Sequence, residues 1–153
     1  MSPYVAVVGP GDASRDELDN AEQVGRGLAQ AGAVLVCGGL GGVMEAACRG
    51  ASEAGGATVG ILPGTDRTAG NDHLTVAIAT GLGELRNGLV VRAADAVIAV
   101  GGAYGTLSEV ALALKTGVPV VGMSSWQLDA IEPVQSAEEA VRRALELAGR
   151  RHT

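Results

Sequence analysis

Apolar positions fall along this chain in two alternating rhythms. Short unbroken runs, such as Val5-Ala6-Val7-Val8, Val34-Leu35-Val36-Cys37 and Ala96-Val97-Ile98-Ala99-Val100, are separated by stretches where apolar residues recur every three or four positions. A continuous apolar run bounded by turn residues reads as a strand buried on both faces, and the longer spacing reads as an amphipathic helix. The pattern predicts strands at residues 4–8, 34–37, 58–62, 76–79, 96–100 and 118–122. Helices are predicted at 16–31, from the turn at 38–42 to 54, at 83–94, at 106–116, and from the capping-box start Ser136-Ala137-Glu138-Glu139 to 148. Gly149 is expected to end the last helix, leaving residues 150–153 as a frayed tail. Strands and helices in alternation predict one Rossmann-like α/β domain over residues 1–149, a parallel sheet with helices on both faces.

Composition narrows the class. Apolar residues make up 47% of 153 residues but aromatics only 2%, so the core has to be built from Val, Ala, Leu and Ile against many glycines. No apolar run approaches the roughly 20 residues of a membrane span, and no signal peptide is evident, so a cytoplasmic protein is expected. A net charge of −6 and three scattered aromatics argue against nucleic acid as a partner. Cys37, Cys48, His73 and His152 supply neither a disulfide framework nor a metal constellation, and no metal or cofactor is expected.

The chemistry gathers at glycine turns that follow strands. Gly101-Gly102-Ala103-Tyr104-Gly105-Thr106-Leu107-Ser108-Glu109 joins a buried strand to a helix, an arrangement that brings backbone N–H groups and a helix dipole to an anion. Glu109 then stands beside whatever carries the anion, or it closes a T-x-x-E capping box with Thr106. Arg86 is expected in the first turn of its helix, as a solvated surface residue or as a bidentate phosphate clamp. Gly38-Gly39-Leu40-Gly41-Gly42 lacks the G-x-G-x-x-G spacing and is either a second ligand-facing loop or a structural turn. The polar segment 63–73, with Asp66, Arg67, Asn71 and Asp72, is expected to be a mobile loop. Lys115 is the only lysine and is placed at the far end of its helix from the glycine turn, which argues against pyridoxal-phosphate decarboxylation.

Together these motifs resemble the Lonely Guy (LOG)-like Rossmann family, whose signature is P-G-G-x-G-T-x-x-E preceded by a helical arginine and a glycine turn ending in G-hydrophobic-M. Residues 101–109 stand for the signature, Arg86 for the arginine and Gly42-Val43-Met44 for the turn. Gly38 to Ala47, Gly60-Ile61-Leu62-Pro63-Gly64 and Arg86-Asn87 are similar, more closely, to the subfamily containing molybdenum cofactor carrier proteins. Gly101 replaces the signature proline, Ala103 its second glycine and Asn87 the usual lysine.

The resemblance implies a nucleoside 5′-monophosphate phosphoribohydrolase releasing free base and ribose 5-phosphate, with Arg86 and Glu109 as the catalytic pair. Gly39, Gly41, Gly42, Met44, Gly101, Gly102, Tyr104, Gly105 and Thr106 would hold the phosphate or nucleotide. The alternative it implies is a carrier that binds molybdenum cofactor or another phosphorylated pterin without turnover. Family members commonly form dimers or larger assemblies, and the apolar Leu85, Leu89, Val90 and Val91 agree with a homo-oligomer.

Overall fold

A computed structural model describes residues 1–151. Seven strands form one parallel sheet: β1 (Tyr4–Val8), β2 (Val34–Cys37), β3 (Thr58–Leu62), β4 (Val76–Ala79), β5 (Ala96–Val100), β6 (Val120–Met123) and β7 (Ile131–Pro133). Their order across the sheet is β4-β3-β2-β1-β5-β6-β7. The chain runs outward from β1 through β2, β3 and β4, then returns to lay β5 on the other side of β1. The carboxyl ends of β1 and β5 therefore flank the topological switch point, where open α/β sheets form their ligand crevice.

Five helices cover the two faces: α1 (Arg15–Gln30), α2 (Val43–Glu53), α3 (Asn87–Arg92), α4 (Tyr104–Lys115) and α5 (Ala137–Arg150). Side chains alternate across each strand, so Val5 and Val7 join the α1, α2 and α5 layer while Ala6 and Val8 join α3 and α4. The core holds no buried aromatic ring among the described residues. Small residues compensate by letting helices approach to backbone contact: α1 meets α2 where Gly25 faces Ala47 and Gly50 faces Glu22. Ser14 caps α1 by accepting from the Glu17 N–H at 3.1 Å, and Ser136 caps α5 by accepting from Glu139 at the same distance.

Several boundaries differ from the sequence reading. The predicted 83–94 helix is a 3-10 turn over Gly83–Arg86 followed by the short α3. Gly81 and Gly83 take positive φ (66° and 60°), which no continuous right-handed helix tolerates. The connector after β6 contains the short edge strand β7, and the segment 63–73 carries a 3-10 turn at Arg67–Ala69 capped by Asp66. Helix α5 continues through Gly149 to Arg150, and the Arg151 side chain donates to the Ala94 carbonyl at 3.1 Å. His152 and Thr153 lie outside the described residues. Among the described residues no helix is long and apolar enough to cross a membrane, and no group of three His, Cys, Asp or Glu side chains is placed to hold a metal ion.

Candidate functional site

The turn after β5 is built around Gly101, whose φ of 73° lies in the left-handed region and whose N–H donates to the Met123 carbonyl at 2.9 Å. Glu17 presses its carboxylate against Gly101, so a side chain there meets both backbone strain and a steric block. Ala103 is the extended N-cap residue of α4 and offers no side-chain cap. The free N–H groups of the first turn, from Tyr104, Gly105 and Thr106, thus open at the carboxyl end of the sheet.

Because α4 starts at Tyr104, Thr106 is a residue of its first turn rather than its cap. The capping-box reading of Thr106 and Glu109 is thereby overturned. Thr106 is 2% exposed and its Oγ1 has no hydrogen-bond partner. Glu109, one turn on, is also buried, and desolvation pushes its carboxyl up to about 7 against the opposing pull of the Arg86 charge.

Arg86 is not the solvated surface residue that one sequence reading allowed. It ends the 3-10 turn before α3 and is only 9% exposed. One guanidinium nitrogen, Nη1, donates to Asn87 Oδ1, while Nε is buried without a partner. Arg86 forms no ion pair with Glu109 or any other carboxylate among the described residues. A buried guanidinium with unused donors is costly unless an anion or other acceptor reaches it.

The second glycine turn reaches the same place. A β-carbon on Gly38 would lie 2.9 Å from Met44 Sδ and within contact of Arg86. Gly39 and Gly42 both take positive φ (78° and 68°), Gly42 as N-cap of α2, while Gly41 is exposed at the bend. Asn71 pins this turn from the neighbouring loop: its backbone N–H donates to the Gly39 carbonyl at 2.9 Å and its side chain to the Leu40 carbonyl at 3.1 Å. Asp66, Arg67 and Asp72 stay exposed, and Lys115 is exposed at the far end of α4. His73 sits in the loop with its carbonyl accepting from Thr58 Oγ1 at 2.6 Å.

Two arrangements have no counterpart in the sequence reading. Trp126, half-buried in the connector after β6, donates from Nε1 to the Ala103 carbonyl at 3.2 Å and stacks on the exposed Tyr104, ring centroids 6.2 Å apart at 29°. Its being the only tryptophan was the one available signal. Cys37 and Cys48 are buried in contact, Sγ to Sγ 3.5 Å, and the Gly39 N–H donates to Cys37 Sγ at 3.3 Å. Their hydrogen bond raises the Cys37 thiol and lowers that of Cys48.

Fold and site together define a Rossmann-like α/β domain with two glycine turns and the first turn of α4 at its topological switch point. The chain belongs to the SLOG cluster4 family, whose model matches residues 2–148. An uncharacterized protein of Archaeoglobus fulgidus is 41% identical over 138 residues, covering 90% of this chain and 91% of its own. Among solved structures, the molybdenum cofactor binding protein of Rippkaea orientalis is 38% identical with a TM-score of 0.89, covering 100% of this chain and 99% of its own. The molybdenum cofactor carrier protein of Chlamydomonas reinhardtii is 33% identical with a TM-score of 0.88, covering 97% and 99%.

Proposed function

We propose that this protein binds and carries molybdenum cofactor, a phosphorylated pterin, with the phosphate seated on the first turn of α4 and within reach of Arg86. Two observations carry the reading: Thr106 Oγ1 in the first turn of α4 and Arg86 Nε are both buried without a partner, and the Arg86 charge acts on Glu109 one turn beyond Thr106. The similarity to carrier proteins over nearly the whole chain supports it. Gly105 leaves the approach to the helix N-terminus open, with nothing within 4 Å of where a β-carbon would stand. Tyr104, largely exposed over Trp126, offers an aromatic rim to the ligand.

The test is retention of cargo. Protein mixed with molybdenum cofactor is desalted, and bound pterin is read by its fluorescence after oxidation. Retention near one equivalent that falls in Thr106→Val and Arg86→Ala supports the carrier; no retention by the unaltered protein overturns it.

One observation favours a second reading, hydrolysis of a nucleoside 5′-monophosphate. A glutamate near pKa 7 beside an arginine is suited to general-base work at neutral pH. Ionised Glu109 would take a proton from water as its oxygen bonds to the ribose anomeric carbon. The glycosidic bond breaks, and the base leaves with the electron pair and picks up a proton. Free base and ribose 5-phosphate, measured by chromatography and abolished in Glu109→Gln, would support this reading over the carrier.

A further inference from the structure

A second cavity adjoins the cradle. Beyond the carboxyl ends of β6 and β7 lies a cleft of about 680 Å³, walled by α1 and the connector that holds Trp126. That volume is within the usual range for small-molecule sites. The end of β6 and the connector after it serve both places: Met123 accepts from Gly101 at the cradle, Trp126 donates to Ala103 there, and both residues line the cleft. Trp126 thus borders both the first turn of α4 and this space.

The cleft has a chemistry opposite to that of the cradle. Its polar lining comprises the amides of Asn20, Gln127 and Gln135, the hydroxyls of Ser124 and Ser125, and the carboxylate of Asp129, with no cationic side chain. The Asp129 carboxylate and the Asn20 and Gln127 amides make no hydrogen bond or ion pair among the described residues, and Ser125 Oγ is buried without a partner. A phosphate is repelled by such a wall. A flat, neutral ring carrying adjacent N–H groups is not, because one carboxylate accepts two parallel N–H bonds at once.

We propose that this cleft holds the fused heterocycle of the phosphorylated ligand, Asp129 accepting from a 2-amino-4-oxo pyrimidine edge of the kind that guanine and pterins present. That edge places a ring N–H beside an amino group, so both carboxylate oxygens are used. An adenine edge offers its amino group beside a bare ring nitrogen, whose lone pair faces the carboxylate unfavourably. The proposal rests on the phosphate cradle of the binding reading, and it adds a ring specificity that the cradle alone lacks.

The test uses GMP, IMP and AMP, which share one phosphate and differ at the ring edge, together with guanosine, which lacks the phosphate. Binding is followed by calorimetry and by the fluorescence of Trp126, the only tryptophan. GMP is expected to bind at least about tenfold more tightly than IMP or AMP, the scale of a lost charge-assisted hydrogen bond. Asp129→Asn removes that preference: GMP weakens about tenfold, and AMP tightens as the repulsion between the carboxylate and the adenine ring nitrogen is lifted. Equal binding of all three nucleotides, or a preference that survives Asp129→Asn, overturns the ring site while leaving the cradle standing. Guanosine that quenches Trp126 in a protein indifferent to phosphate upholds the cleft and removes the cradle. No binding of any of the four overturns both.

Discussion

Gly38 and Arg86 share one space: a β-carbon on Gly38 would lie 2.7 Å from Arg86 Nη2 and 3.0 Å from Cζ. The glycine at the end of β2 is thus the floor on which the guanidinium lies, and its lack of a side chain is what lets a strand end and an arginine from another element meet. Gly38→Ala is expected to push the guanidinium aside at small cost in stability, since the atoms displaced end a flexible side chain. Affinity for inorganic phosphate or a phosphorylated ligand should fall about tenfold, on the scale of a charged hydrogen bond, with a melting temperature within a few degrees of the parent. Calorimetric titration beside a thermal melt checks it. Unchanged affinity would mean that Arg86 is not part of the anion site.

Glu109 makes the cradle pH-dependent. Its carboxyl rises from 4.5 to about 7 on folding because burial outweighs the attraction of Arg86. The folded protein therefore binds more protons than the unfolded chain across that interval, and Glu109 lowers stability as pH rises from about 4.5 through 7. At 1.36 kcal/mol per unit this is a penalty of about 3 kcal/mol above pH 7, absent below pH 4.5. Glu109→Gln is expected to flatten that part of the stability profile in denaturant titrations between pH 5 and 8. A neighbouring anion also prefers the protonated acid, so anion affinity in the parent should fall more steeply over this range than in Glu109→Gln. Parallel profiles for the two proteins would contradict a buried carboxylate at this place.

The sheet and the positions of both glycine turns were legible in the sequence because they rest on local pattern. Val5 to Val8 and Ala96 to Val100 are buried throughout, as continuous apolar runs require, and β1 pairs with β5 in register Val5 to Ala96. The burial of Arg86 was not legible. Leu85, Leu89, Val90 and Val91 read as one helix from residue 83, and that pattern does not show that Gly83 takes a positive φ or that residues 83–86 wind as a 3-10 turn. The role of Glu109 was likewise ambiguous, since T-x-x-E spacing does not say whether Ala103 or Thr106 is the N-cap. Local patterning could not show the contacts of Trp126 with Tyr104 and of Cys37 with Cys48, because tertiary packing brings them together.

That cysteine contact has a chemical consequence. Sulfurs 3.5 Å apart need to close to about 2.0 Å to form a disulfide, and Cys48, with its lowered pKa, is the first to ionise and the attacking thiolate. Diamide, which accepts the two hydrogens, is expected to join them. Thiol titration of the unfolded protein should find two thiols before treatment and none after. Two thiols remaining after prolonged treatment would show that the ends of β2 and α2 hold the pair apart. Because Cys37 precedes Gly38 directly, the oxidised protein is also expected to bind phosphate more weakly.

The β4 edge of the sheet carries the last prediction. Val76 and Ile78 on β4, Leu82 just before the 3-10 turn, Leu85 within it and Leu89 on α3 are all exposed, Leu85 to 78%. Large apolar side chains clustered on one face mark an interaction surface, and an uncovered edge strand adds unpaired backbone groups to it. Pairing of two copies through this face would bury Leu85 next to Arg86 and so tie assembly to the anion site. Sedimentation velocity should find the parent protein as a dimer or larger species, and Leu85→Glu as a monomer with an unchanged far-ultraviolet spectrum. A parent protein that sediments as a monomer at every concentration would exclude the pairing and leave this face without a self-partner. If Leu85→Glu dissociates the assembly but keeps full phosphate affinity, each protomer holds a complete cradle by itself.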